Sequence, residues 1–404
     1  MRNLLILVVF LPLSSGVDWP AWRGAAGDGV VTKSAIPLKW SAESATWKTA
    51  IPGTGYSSPV IREDRIFLTA AGVNDTTDRT LVCLDLKSGD ILWTQEIYQS
   101  PIEKMHRLNS PASSTPACDH ERVYVTFCEN GHIGVAAVNF RGDLLWKRRP
   151  GTFMSRHGFH SCPVIHDGRV IINGQQDGDD AFVAALDGRN GDVIWKTERP
   201  NKVRSFAAPF LLKVEDRIQV VVSGAGQTIA YDIETGSEVW QVTGPAEKTV
   251  SCMLTDGQRL FVPGGREDLL LAVDPGGRGD VTDTHITWSG KKGVPYVPSP
   301  VLANGLLHLV SDEGIYTVYE PDTGRVIRQA RVAGRTSSSL LAVGKHILLT
   351  EDSGTTHVLK NDGSGTVVET NDVGETVYAS HAVSGSRLLI RGTDHLFCFM
   401  PSKP

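Results

Sequence analysis

Ala230-Tyr231-Asp232-Ile233-Glu234-Thr235-Gly236-Ser237-Glu238-Val239-Trp240 is the stretch that decides the fold. It reads as a strand, a tight turn and a second strand ending in Trp. Gly236 stands where the turn needs a positive φ. Asp232 and Thr235 carry oxygens that can accept from turn amides. Trp240 offers a large flat ring to bury against a neighbouring sheet. The phrase recurs along the chain. Cys83 to Trp93 and Ala185 to Trp195 are full copies, and Ala137 to Trp146 lacks one residue. Ala272 to Trp288 carries an insertion in the turn. Val318 to Arg328 keeps Thr323-Gly324 but has Arg328 in the Trp place, and Leu359 to Glu369 is the most degenerate copy.

Trp93, Trp146, Trp195, Trp240 and Trp288 are separated by 53, 49, 45 and 48 residues. That period suits one four-stranded sheet per repeat, the blade of a β-propeller. A second phrase, small residues before a short apolar run, opens each repeat: Ser57-Ser58-Pro59-Val60, Ser114-Thr115-Pro116-Ala117, Ser161-Cys162-Pro163-Val164, Ala207-Ala208-Pro209-Phe210 and Pro298-Ser299-Pro300-Val301. Repeats begin near Ser57, Ser113, Ser161, Ala207, Val250, Pro298, Ser337 and Tyr378. The last stops after three strands. Ala45 to Ala50, with Trp47 in the Trp place, supplies the missing outer strand. The expected architecture is all-β: an eight-bladed propeller of four-stranded antiparallel blades, closed by an N-terminal strand in the last blade. Closure removes exposed edges.

The composition agrees with one folded unit. The 404 residues are 41% hydrophobic and 21% charged, enough apolar material for a core and too little charge for wholesale disorder. A net charge of -5 argues against nucleic acid as partner, because phosphate binding needs a basic face. Arg2 followed by the apolar run Leu4 to Leu13, with Ser14 and Gly16 before Val17, reads as a signal peptide over 1–16. A segment 17–39 then leads into a single propeller domain over 40–404. No later stretch is long and apolar enough for a transmembrane helix. The expectation is export to the periplasm or the cell exterior.

The Ala-x-Asp-x-x-Thr-Gly-x-x-x-Trp pattern resembles the PQQ-type propeller repeat of quinoprotein dehydrogenases and BamB-like outer-membrane assembly lipoproteins. The resemblance covers about residues 40–400. It looks closest to exported PQQ-like proteins of planctomycete-type bacteria, whose phrases resemble Asp18-Trp19-Pro20-Ala21-Trp22-Arg23-Gly24, Gly27-Asp28-Gly29 and Gly276-Gly277-Arg278-Gly279-Asp280-Val281-Thr282. A dehydrogenase would imply PQQ on the propeller axis, Ca²⁺ held by acidic and amide oxygens, and a disulfide of adjacent cysteines. This chain has no Cys-Cys pair and no long insertions.

Candidate chemistry is sparse. Ser155-Arg156-His157-Gly158-Phe159-His160-Ser161 enters blade three, where strand starts face the channel. His157 and His160 are therefore candidate channel residues, with Arg204 and Tyr296 at equivalent positions of other blades. Two His need further ligands to hold a metal. Asp177, Asp179 and Asp180 cluster without the spacing of a calcium loop. Arg278-Gly279-Asp280 is a chance-level tripeptide in a turn insertion. Trp47, Trp93, Trp146, Trp195, Trp240 and Trp288 are expected to dock blades. The Trp residues are thus expected on outer strands, leaving the channel without an aromatic floor. The six Cys are expected mostly as buried free thiols acting as small apolar groups. The functional expectation is a non-catalytic, monomeric propeller that binds a protein or envelope component and needs no cofactor. The alternative is a quinoprotein oxidoreductase using PQQ and calcium, or another small-molecule enzyme, in the central channel.

Overall fold

The computed structural model describes residues 18–72 and 77–401. The expected signal peptide lies outside the described residues. Eight antiparallel sheets follow one another in chain order. Blade 1 runs from the innermost strand Val60–Arg62 through Arg65–Ala71 and Asp78–Asp85 to the outermost Ile91–Gln99. Blades 2 to 7 repeat this meander.

Blade 8 closes the ring. Its three C-terminal strands, Ala382–Ser384, Arg387–Arg391 and His395–Phe399, are joined on the outside by Trp47–Ala50. Trp47 pairs with Cys398, Lys48 with Phe397, Thr49 with Leu396 and Ala50 with His395. Thr49 Oγ1 then donates to the Gly89 carbonyl of blade 1 at 2.7 Å. The two ends of the chain thus share one sheet.

Two sheets depart from four strands. The insertion expected in the blade 5 turn returns along blade 4, where Gly279–Asp280 pairs in parallel with Trp240 and Gln241. Val30–Val31 pairs in parallel with Ala342 and Val343 on the innermost strand of blade 7. Both additions satisfy edge amides that a bare blade would leave open.

The core lies between blades. Phe67 and Cys83 of blade 1 pack with Val125, Phe127 and Ala136 of blade 2, all essentially without exposure. The motif Trp residues other than Trp240 project from their outer strands onto the turn of the next blade. Trp93 Nε1 donates to Phe140 O at 3.2 Å, Trp146 Nε1 to Gly188 O at 2.9 Å, and Trp288 Nε1 to Pro321 O at 2.8 Å. Trp240, in the cleanest copy of the phrase, differs. The lengthened turn of blade 5 takes its usual dock away, and its Nε1 donates to Gln219 Oε1 of its own blade at 2.9 Å. Val281 from the insertion packs into the same cluster.

Candidate functional site

The small residues opening each repeat do more than save space. The Ser58 amide donates to Thr115 Oγ1 of the next blade at 2.9 Å, and the Thr115 amide to Cys162 Sγ at 3.2 Å. The amides of Cys252 and Ser299 donate to Ser299 Oγ and Ser339 Oγ, each at 2.9 Å. Ser339 continues to Ser380 Oγ at 3.1 Å, and Ser380 returns to Ser58 Oγ at 2.9 Å. The Ala208 amide turns to Cys252. A belt of amide-to-side-chain bonds therefore circles the channel, with one interruption where Ala208 offers Cys162 no acceptor. Buried amides need partners, and here the neighbouring blade supplies them. The sequence signal was a heteroatom at the second small position of every repeat except Ala208.

Trp22 sits at that interruption, packed against Cys162, Ala208 and Cys252. The segment carrying it crosses the far ends of the innermost strands. Trp19 exchanges backbone bonds with Ile61 at 2.8 and 2.9 Å, Pro20 O accepts from Cys118 N at 2.7 Å, and Gly29 O accepts from Ala342 N at 2.9 Å. The buried Arg23 guanidinium donates to Pro300 O. The expectation that the Trp residues stay on outer strands is corrected here. Trp22 belongs to none of the blades, and its ring meets His160 edge-on at 6.1 Å and 80°.

Above Trp22 the channel widens into a cavity of about 340 Å³ that draws residues from every blade. His157, His160 and Tyr296 line it. Arg204 does not, because its guanidinium is turned to Asp177 at 2.8 Å. One wall is the Tyr56–Tyr378 pair, with ring centroids 4.8 Å apart. Another is His157 stacked on His106 of a blade 2 loop at 5.8 Å and 16°. Arg266 lies over the Tyr296 ring at 4.9 Å. Burial pushes the His160 pKa down to about 4, so the imidazole is neutral at pH 7. His157 is also pushed down, first by burial and then by the charges of Arg204, His106 and Arg266. Asp312, also in the lining, accepts from Tyr296 N at 2.8 Å and Val297 N at 3.3 Å. Burial nonetheless raises its pKa.

The other sequence candidates are spoken for. Asp177 pairs with Arg204, Asp179 with Lys202 and Asp180 with Lys196, so the three carboxylates face separate cations. Asp280 accepts from the backbone and hydroxyl of Thr282 at 3.0 and 2.6 Å. All six cysteines are free and buried. Among the described residues, no three His, Cys, Asp or Glu side chains gather as a metal site.

The family described as outer membrane protein assembly factor BamB matches in overlapping stretches, 30–177, 78–249, 129–287 and 178–341, as a repeat requires. Methanol dehydrogenase [cytochrome c] subunit 1 of Methylorubrum extorquens is 32% identical over 152 residues, 33% of this chain and 21% of that protein. Outer membrane protein assembly factor BamB of Yersinia pestis is 25% identical over 196 residues, 45% of this chain and 44% of that protein. The chain thus spans less than half the length of either relative. Among solved structures, BamB from Moraxella catarrhalis aligns with a TM-score of 0.63 at 13% identity, covering 88% of this chain and 99% of that one. A europium-containing methanol dehydrogenase aligns with a TM-score of 0.71 at 9% identity, covering 95% and 98%. These structures share the fold. None of the comparisons supports the narrower planctomycete-type resemblance. With matches spanning residues 30–341, more than half of its length, the chain belongs to the BamB-like family of PQQ-type repeat propellers.

Proposed function

We propose that this chain is an exported binding propeller, a monomeric scaffold of the cell envelope that holds a protein or envelope component rather than turning over a substrate. The observation that carries the reading is the commitment of the acidic groups around the cavity. Asp312 is taken by two backbone amides, Asp177 by Arg204 and Asp352 by Arg335. A calcium ion needs six to eight oxygens converging on one point. The residues present do not fit that requirement, so no step through PQQ and calcium is derived. The BamB relatives, named as outer-membrane assembly factors, support both the scaffold role and the envelope location.

A quinoprotein oxidoreductase is the second reading. It draws on Trp22 as an aromatic floor and on the stretch shared with methanol dehydrogenase. Reconstitution of the mature protein with PQQ and Ca²⁺ separates the two. The expected result is no stoichiometric binding and no dye reduction on adding an alcohol or aldose. A shifted cofactor absorbance at one equivalent, with substrate-dependent dye reduction, would replace the scaffold reading with the enzymatic one.

A further inference from the structure

We infer that the axial cavity takes the C-terminal residue of a partner polypeptide, with its carboxylate at Arg266. This rests on the binding reading above and names the part of the partner that enters.

Shape is the first argument. Trp22 lines the cavity at its inner end, and its segment straps the far ends of strands from blades 1, 2 and 7. The channel is therefore a cup with one mouth. A chain passing through is excluded, and a loop would have to enter and leave side by side. A chain end enters singly.

Charge selects which end. Arg266 is exposed and lies over the Tyr296 ring, with no carboxylate partner among the described residues. Of the acids nearby, Asp177 is held by Arg204, Asp352 by Arg335, Asp312 by the Tyr296 and Val297 amides and Glu313 by the Ser311 hydroxyl, while Asp268 shares an adjoining hollow with Arg266 without forming an ion pair with it. His157 Nδ1 is buried and has no hydrogen-bond partner among the described residues, and burial first, then Arg204, His106 and Arg266, hold the His157 pKa down. Arg266 therefore stands at the mouth as a guanidinium that no carboxylate among the described residues engages in an ion pair. An N-terminal ammonium would be repelled there, whereas a carboxylate gains charge-assisted hydrogen bonds from a guanidinium. Below the mouth, Tyr56, Tyr378, Phe206 and Trp22 form an aromatic well for the last side chain.

The test uses the full mature protein and N-terminally labelled hexapeptides ending in Phe, Tyr, Trp or Leu, read by fluorescence anisotropy. At least one free-acid peptide is expected to bind, and its C-terminal amide to bind on the order of tenfold more weakly or worse. Arg266→Gln, an exposed change that leaves the core intact, is expected to cost a similar factor, while the remote Arg278→Gln changes nothing. Equal binding of acid and amide overturns the inference, as does indifference to Arg266→Gln. Phenylpropionate displacing the peptide at equal concentration overturns it in favour of a free small acid. If no peptide binds while the PQQ assay is also negative, this inference falls and the scaffold reading stands. PQQ turnover removes that reading itself.

Discussion

Gly236 of blade 4 lies flat against the indole of Trp195 from blade 3: a Cβ at Gly236 would stand 2.5 Å from Trp195 Cε3. The indole Nε1 donates to Ile233 O at 2.9 Å, and Thr197 Oγ1 donates to the Gly236 carbonyl at 2.7 Å. The glycine therefore answers two demands. Its φ of +71° suits the turn, and its missing side chain is the seat for the preceding blade's ring. Gly89 with Trp47, Gly191 with Trp146 and Gly324 with Trp288 repeat the arrangement.

A pair of glycine substitutions separates those demands. Gly257 has a φ of +89° with nothing within 4 Å of an added Cβ, so Gly257→Ala should cost only the left-handed backbone term, about 1–2 kcal/mol. Gly236→Ala should cost that plus displacement of a packed indole, another 1–3 kcal/mol or so. Urea unfolding of both variants checks this. Equal losses would mean that the indole contact contributes nothing.

Trp240 is 1% exposed and fills the space between blades 4 and 5. Trp240→Ala should lower stability by about 3–5 kcal/mol. His157 is half-buried at the cup, and its Nδ1 has no hydrogen-bond partner among the described residues, so His157→Ala should stay within about 0.5 kcal/mol. Losses of similar size in a urea melt would contradict the assignment of Trp240 to the core.

The belt around the channel predicts a chemical distinction at Cys162. Cys162→Ser keeps an acceptor for the Thr115 amide and should be nearly neutral. Cys162→Ala leaves that buried amide unpaired, at about 1–3 kcal/mol. Thermal denaturation of the two variants side by side reads the difference. The thiol would be mere filling if both melted together.

Acid should weaken the fold through buried histidines. His308 Nδ1 accepts from the Tyr316 hydroxyl at 2.6 Å while Nε2 donates to Ala303 O at 3.2 Å, an arrangement that requires the neutral ring. Burial pushes the pKa of His308 and of His381 from 6.5 down to about 4. Between those values the unfolded chain binds more protons than the folded one. Stability present above pH 6.5 is therefore lost as pH falls toward 4, at up to about 1.4 kcal/mol per pH unit for each histidine. His308→Gln and His381→Gln should each flatten the slope by one proton, measured from unfolding free energies across that range.

The blades and their closure were legible in the chain because they are local or periodic. A turn such as Asp232 to Gly236 is specified by residues next to one another. Trp47 announced its place in blade 8 because the same phrase, lacking its outer strand, ends at the other terminus. The site was less legible. His157, His160 and Tyr296 were found by their positions before innermost strands, yet Arg204, at an equivalent position, turns to Asp177 instead. Backbone position does not say which charged neighbour a long side chain will meet.

The repeat by itself determined an all-β ring of eight blades, because a sheet with two apolar faces must be flanked on both sides and a fixed period makes every flank alike. Tertiary structure decided how the channel is sealed and charged. Ring closure sets Ser58 beside Ser380, Trp22 beneath His160 and Arg266 above Tyr296, pairs whose members come from different blades or from outside them. Such contacts depend on the relative placement of blades and on the path of one crossing segment, and neither leaves a periodic mark in the chain.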